Sequence, residues 1–578
     1  MIKRGAIILF ALIALLACKK QSTLDAGVDG GDAPDGNTVI ADPVDPALAA
    51  TQGFFLDGWQ PKHFSIPTNT TGIKPNSEGI VATVDIAQVI TKVSNKVYGN
   101  NTNPYMGPYI TEPILLNYIT KLSPNILRFP GGSLSDVYFW NSNGNKPPED
   151  APAKLSDANG AMANAGYWYG SKADANAFTL DKYYKVLQQT NSTGIITVNY
   201  GYARYGKSAH PDRTAAHLAA DWVRYDKGRT KYWEIGNENY GNWEAGYRIN
   251  TADNKDVQPQ ILTGLLYGNH FKTFADSMRK AAAEAGNTGI KIGMVLTEAD
   301  ERNNPTVIIN GWNFDVLAQA GNAADFYVTH NYYTPYLKNS TPAEILATAS
   351  KETASTINWV KASVSAAGVT QKPVALDEWN IFATGSQQMV SNVAGLHAAM
   401  VLGEVLKNQI SMASRWDLAN GWEGGNDHGL FNIGDEPGAD KWNPRPAYYY
   451  MYFFQKYFGD RMVNSIVAGS GDVVSYGSSY TSGHAGAVLV NKGSANHVVT
   501  VQIKNFVPGA KYYYYTLNGG TDNAPFSRKV FVNGTGPAGL SGGPLNFTDI
   551  AAKSGDLSGG ITVNVPALGA VFLIAESK

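Results

Sequence analysis

The sequence predicts an α/β protein: a (β/α)8 TIM barrel carrying an accessory all-β sandwich domain. Three observations point to it. From about residue 94, short apolar runs alternate with longer segments of helical spacing. Two of those runs, 231–238 (KYWEIGNE) and 373–378 (PVALDE), end in carboxylates, as do barrel strands that deliver catalytic groups at their C-terminal ends. After about residue 458 the rhythm changes to short alternating strands broken by Gly, Asn and Ser.

The 578 residues suffice for two or three domains. With a net charge of -2 and no nucleic-acid motif, nothing points to a nucleic-acid partner. The N-terminus reads as an address. Lys3-Arg4 precedes an apolar run, 5–17, that is too short to span a bilayer and fits a signal peptide. The run ends in Leu15-Leu16-Ala17-Cys18, which resembles the bacterial lipoprotein lipobox. That resemblance implies lipid on Cys18, the single cysteine, and a place in the cell envelope, at the outer membrane or cell surface. The competing reading is an ordinary signal peptide with a chance cysteine.

Residues 19–53 are rich in Asp, Gly, Ala and Pro and predict a flexible tether. Residues 54–92 carry Thr and Val and predict strands that pack with the sandwich; the barrel is expected over 93–458 and the sandwich over 459–578. The eight barrel strands are expected at 96–100, 125–130, 195–200, 231–236, 290–296, 326–330, 374–378 and 410–416. Helical spacing is clearest over 215–225 (AAHLAADWVRY) and 271–285. Two long connections, 133–178 and 417–446, carry Trp140, Trp168, Tyr169 and Trp422, and predict ordered walls around a site. The polar run 423–428 reads as solvated loop, so no metal is expected, and no cofactor. Gly539-Leu540-Ser541-Gly542-Gly543 matches G-x-S-x-G but lies in a Gly-rich sandwich loop, outside the strand–turn–helix that a nucleophilic serine needs.

Two carboxylates at strand ends suit glycoside hydrolysis. One carboxyl protonates the leaving oxygen and the other attacks the anomeric carbon from about 5 Å away. The two must titrate apart, one protonated and one ionised. Glu238 and Glu378 fill these places, although either alone reads equally well as a salt-bridge partner or a helix cap.

The segment WEIGNENYGNWEAG, residues 233–246, resembles the acid/base segment of clan-A retaining glycoside hydrolases, most of all the α-L-arabinofuranosidases of glycoside hydrolase family 51. ALDEWNIF, 375–382, resembles the nucleophile segment of the same family; LRFPGG (127–132), ITVNYG (196–201) and HNYY (330–333) resemble its second, third and sixth strand segments. The resemblance implies Glu238 as general acid/base and Glu378 as nucleophile, acting on oligo- or polysaccharide. It also implies Asn237 on the sugar 2-hydroxyl, Arg128 holding the nucleophile ionised, Tyr332 near the nucleophile and His330 on the same wall. Arg128 also reads as a barrel-wall ion pair and Tyr332 as a core aromatic. Trp379, Trp243 and Tyr240 are candidates for stacking on sugar faces, or for packing. Three departures bear on the sugar: VYGNNTNP (97–104) lacks the family's acidic residue and His, Ser133 replaces an Asn, and Asp417 stands where an amide is expected. Arabinofuranosidase is the leading reading, with an endo-β-glycanase or a non-catalytic glycan-binding lipoprotein as alternatives. Within 231–247, Glu234 reads as a deeper barrel-layer residue and Glu244 as an outlying loop residue.

Overall fold

The computed structural model describes residues 40–107, 111–142, 146–171, 177–300, 311–520 and 525–578. The signal peptide, Cys18 and tether residues 19–39 lie outside the described residues. Eight parallel strands close into a barrel: β1 (Gly99–Asn101), β2 (Ile126–Phe129), β3 (Thr193–Val198), β4 (Tyr232–Ile235), β5 (Lys291–Val295), β6 (Phe326–Asn331), β7 (Val374–Trp379) and β8 (Ala413–Arg415), with β8 pairing back onto β1. β2, β4, β6 and β7 are buried along their whole length, which is why they read as apolar runs without alternation. The helices between them start on sequence signals. Thr179 and Thr263 cap Leu180–Thr190 and Gly264–Glu284, a Pro opens Pro211–Asp226, and a Thr341/Glu344 capping box opens Pro342–Ala366.

All eight strands lie within three residues of their predicted bounds. The first is shortened at its start: Asn95–Tyr98 is a 3-10 turn in which Lys96 N donates to the Ser94 hydroxyl, and the strand begins only at Gly99. Such local side-chain bonding competes with strand pairing.

The barrel floor is sealed from the N-terminal side. The short 3-10 turn Gly53–Leu56 places Phe55 in an apolar cluster with Ile126, Ile195, Tyr232, Phe326, Ala375 and Met412. Residues 45–53, read from composition as tether, are therefore fixed at their end. Asp45 pairs with Arg461 and Lys92, the Thr51 carbonyl accepts from Val374 N, and Gln52 donates to Thr91 and Ser411. Composition counted the polar residues of this stretch without seeing that each has a partner.

The all-β part is one continuous eleven-stranded sheet. Ile80–Lys92 lies within it, antiparallel to Arg461–Ala468 and parallel to His497–Lys504, and Asn69–Thr71 pairs with Ala552–Asp556. One set of its side chains, including Val84, Val463, Leu489, Val501, Val563 and Leu573, forms a core of the sheet's own, while Tyr476, Val488, Tyr515 and Phe572 join the main core cluster. Ser541 is buried there and bonded by Asn443. Among the described residues no helix is long and apolar enough to cross a membrane.

Candidate active site

β4 ends in a turn that only glycine can make. Gly236 has φ +79°, and a Cβ there would lie 2.1 Å from Asn239 Oδ1. Glu238, two residues on, is itself left-handed at φ +41°, a conformation that side chains other than glycine adopt at a cost and that clusters at working sites. β7 brings in two carboxylates in succession, although alternation along a strand would turn one of them away. The β6–β7 register explains it: Thr329 faces Leu376 and His330 faces Glu378, so Asp377 is the extra residue of a bulge.

Arg128, on β2 and fully buried, ties the site together. It donates through Nε to Glu234 Oε2 (2.9 Å), through Nη1 to Glu378 Oε2 (2.9 Å) and Asn101 Oδ1 (3.0 Å), and through Nη2 to Asn237 Oδ1 (2.9 Å). Burial alone would lower its pKa; Glu234, Asp377 and Glu378 reverse that and hold it cationic. With no exposed surface, it reaches the site only through Glu378 and Asn237 and touches no sugar itself. Glu378 Oε1 accepts from the Tyr332 hydroxyl at 2.7 Å, and Tyr332 stacks on Phe382 at 4.3 Å between centroids.

His330 stands between the two glutamates. Its Nδ1 is 2.8 Å from Glu238 Oε1 and 3.8 Å from Glu378 Oε2, and its Nε2 is 3.4 Å from Asp377 Oδ1. Trp243 donates to Glu238 Oε2 at 2.8 Å. One ligand atom each from Glu238, His330 and Glu378 lies within 4.8 Å of the others, so the two carboxylates face each other across that distance.

The electrostatics differ from the simple expectation of a raised acid and a lowered nucleophile. Burial raises Glu378, with help from the Glu238 charge, against the pull of His330 and Arg128. Burial also opposes the Glu238 charge, but its bond to His330 wins and lowers it. Burial would neutralise His330, yet Glu378, Asp377 and Glu238 hold it protonated well above the usual histidine range. The reason is geometric, since the imidazole is closer to Glu238 than to Glu378. Both shifts favour placing the proton of this pair on His330, whose Nδ1 is 2.8 Å from Glu238 Oε1.

Several supports carried no periodic signal in the sequence. Asp136 Oδ1 accepts the Tyr200 and Gly201 amides, and its Oδ2 accepts Asn237 N and Asn239 Nδ2; burial pushes it up to about 7. Glu244, read as outlying, is buried and accepts from Asn237 Nδ2 (2.9 Å) and Ser133 Oγ (2.7 Å), so it braces the Asn that precedes the acid. Asn101 bridges Arg128 and the Asp377 carbonyl. Asp377 itself stood in the recognised DEWN segment, the one signal available. Two expected stacking residues are corrected: Tyr240 (3% exposed) and Trp379 (1%) are core, whereas Trp243 is 44% exposed beside Glu238. In the long loops, Trp140 stacks on Trp222 of helix Pro211–Asp226 instead of walling the site. Asp427 and Glu436 are buried against Arg445, and Glu436 also binds Arg528 of the sheet domain. Asp417 accepts from the Tyr105 hydroxyl at 2.8 Å, and burial pushes it up to about 8.

Residues 118–342, which include Glu238 but not Glu378, match the family described as Alpha-L-arabinofuranosidase 1 domain. An intracellular exo-alpha-(1->5)-L-arabinofuranosidase of Acetivibrio thermocellus is 22% identical over 337 residues, 52% of this chain and 58% of that protein. A probable alpha-L-arabinofuranosidase C of Aspergillus niger is 25% identical over 23% of this chain and 25% of its own length. The chain thus spans a quarter to somewhat over half of these relatives. Among solved structures, the GH51 alpha-L-arabinofuranosidase of Thermotoga petrophila RKU-1 superposes with a TM-score of 0.60 at 18% identity, covering 86% of this chain and 100% of that one. The alpha-L-arabinofuranosidase of Thermotoga maritima in its arabinose complex superposes with a TM-score of 0.58 at 17% identity, over 86% and 99%. Residues 118–342 of the barrel are thus similar to the Alpha-L-arabinofuranosidase 1 domain, and the overall fold is shared with the solved family 51 arabinofuranosidases.

Proposed function

We propose that the protein is a retaining glycoside hydrolase that releases α-L-arabinofuranosyl groups from oligo- or polysaccharide by double displacement. The observation that carries this reading is the separation of the pair: carboxylate oxygens of Glu238 and Glu378 lie within 4.8 Å of each other. Retention calls for carboxyls roughly 5–5.5 Å apart, whereas inversion needs roughly 6.5–9.5 Å to admit a water. Glu378, oriented by Arg128 and Tyr332, attacks the anomeric carbon. Glu238 protonates the departing oxygen and then takes a proton from the water that hydrolyses the glycosyl-enzyme. Asn237 is buried beside Glu238, its Oδ1 held by Arg128 and its Nδ2 by Glu244. The names of the relatives support arabinofuranose as the sugar, and the brace around Glu378 favours an enzyme over a glycan-binding protein.

The test is turnover of aryl α-L-arabinofuranosides beside other aryl glycosides. Wild type should cleave the arabinofuranoside, Glu378→Ala should lose activity by at least about 10³-fold, and Glu238→Ala should retain more with activated leaving groups. Turnover that survives Glu378→Ala would end the nucleophile assignment. We also infer, from the 1–18 sequence alone, a lipid anchor at Cys18 and a place in the cell envelope. Labelled fatty acid should enter wild type and not Cys18→Ser.

A further inference from the structure

We propose that Glu238 is one end of a buried proton chain, Glu238–His330–Asp377–Glu234, in which Asp377 and Glu234 are positioning residues that keep a proton on His330 ready for delivery to Glu238. The proposal rests on the glycosidase reading above.

The chain is laid out in distances. His330 Nδ1 meets Glu238 Oε1 at 2.8 Å, and Nε2 meets Asp377 Oδ1 at 3.4 Å. His330 is 4% exposed, and Asp377 and Glu234 are wholly buried. Asp377 and Glu234 lie on either side of Arg128 Nε, 3.8 Å from Asp377 Oδ2 and 2.9 Å from Glu234 Oε2. Glu234 Oε1 and both Asp377 oxygens are buried with no hydrogen-bond donor among the described residues, so a proton shared by the two carboxyls would satisfy them. Arg128 and Thr197 already occupy Glu234 Oε2, which leaves Oε1 to carry that proton. Burial drives Glu234 well above the ordinary range, whereas Asp377 is held below it against burial by Glu234, Arg128 and His330. An ionised Asp377 beneath the imidazole is what an imidazolium in a closed barrel requires. Asp377 is the bulged residue of β7, so the fold spends an irregularity on turning it toward His330.

The groups facing His330 are Glu238 beyond β4, Asp377 and Glu378 on β7, Arg128 on β2 and Tyr332 beyond β6, with Glu234 on β4 behind Asp377. As the glycosidic C–O bond breaks, the Nδ1–H bond of His330 breaks, an O–H bond forms on Glu238, and the Glu238 proton passes to the leaving oxygen. The imidazole is left neutral and Asp377 stays ionised. In the second half, water attacks the anomeric carbon, its bond to Glu378 breaks, and the water proton returns through Glu238 to Nδ1. Glu238 thus serves as acid and base while its own carboxylate is never far from an ionised state.

The test uses the full chain labelled with ¹⁵N-histidine, with the His330 signal assigned through His330→Gln. The wild-type imidazolium should persist above pH 7. In Asp377→Asn it should lose its proton at least about one pH unit lower. Glu234→Gln, whose amide still donates to Asp377, should keep the wild-type value, and Glu234→Ala should shift it. In kinetics, Asp377→Asn should lose at least about tenfold in kcat/KM on 4-nitrophenyl glycosides and less than about threefold on 2,4-dinitrophenyl glycosides, which need no acid. The alkaline limb of kcat/KM should move with the imidazole. A neutral His330 at pH 6 in wild type, or equal losses on both leaving groups with an unmoved limb, overturns the proposal. Should Asp377→Asn not fold, Glu234→Ala carries the same comparison. If wild type cleaves no glycoside, the glycosidase reading falls while the imidazole titration still decides the chain.

Discussion

Arg128 Nη1 donates to Glu378 Oε2 at 2.9 Å with the arginine fully enclosed and the glutamate 5% exposed, so the Glu378 carboxylate is held by a charge that water does not reach. The same guanidinium, on β2, reaches β1, β4 and β7 and the turn after β4 through four separate bonds. A lysine offers one ammonium and cannot reproduce that fork. Arg128→Lys should lower kcat by about 10²–10³-fold and destabilise the fold by about 3–5 kcal/mol, the cost of breaking a buried ion pair. Steady-state kinetics and urea titration measure the two effects together.

Trp243 offers a contrasting case, since it touches Glu238 from the exposed side. Trp243→Phe removes one hydrogen bond to a carboxylate and little packing. Hydrogen bonds to charged groups contribute about 1.5–3 kcal/mol, so kcat/KM should fall roughly tenfold while the melting temperature stays unchanged. A loss confined to melting temperature would show the contact to be structural only.

At the far end of the barrel, Phe55→Ala should destabilise by about 3–5 kcal/mol, as large aromatic deletions from packed cores do. Phe55 packs against Tyr232 and Phe326 at 5.3 Å each. Because the floor lies away from Glu238 and Glu378, kcat of the folded fraction should change little. Chemical denaturation combined with activity below the transition tests both halves of this statement.

Stability should depend on pH in a direction opposite to that of most acidic groups. Burial raises Asp417 to about 8 and Asp427 and Asp136 to about 7, all from 3.8. A raised carboxyl binds its proton in the folded state between the unfolded and folded pKa values. Its contribution is therefore full below about pH 4 and is lost as pH climbs to 7–8. Asp417→Asn should flatten the decline in melting temperature between pH 5 and 8, with a slope change on the order of 1 kcal/mol per pH unit.

The barrel was legible because both faces of its strands are buried, and continuous apolar runs such as VAL in 374–376 stand out against their flanks. The Glu238–Glu378 pair was legible because each glutamate ends such a run. The supports were not. Asp136 and Glu244 lie off the strands, where no period marks them, and their roles follow from the backbone amides and side chains that converge on them. Tyr240 and Trp379 misled because an aromatic beside a catalytic glutamate has the same letter whether it faces a sugar or the core. The end of the tether misled because polar residues such as Gln52 find buried partners more than 300 residues away.

The bulge in β7 has a consequence for how such a site is encoded. Asp377 and Glu378 face one interior because the strand holds one residue more than its β6 partner there, not because of what their side chains are. Deleting Asp377 would restore regular pairing and leave only one of the two charges. The site is therefore written partly in the count of residues along one strand, and substitutions alone cannot rebuild it once that count is changed.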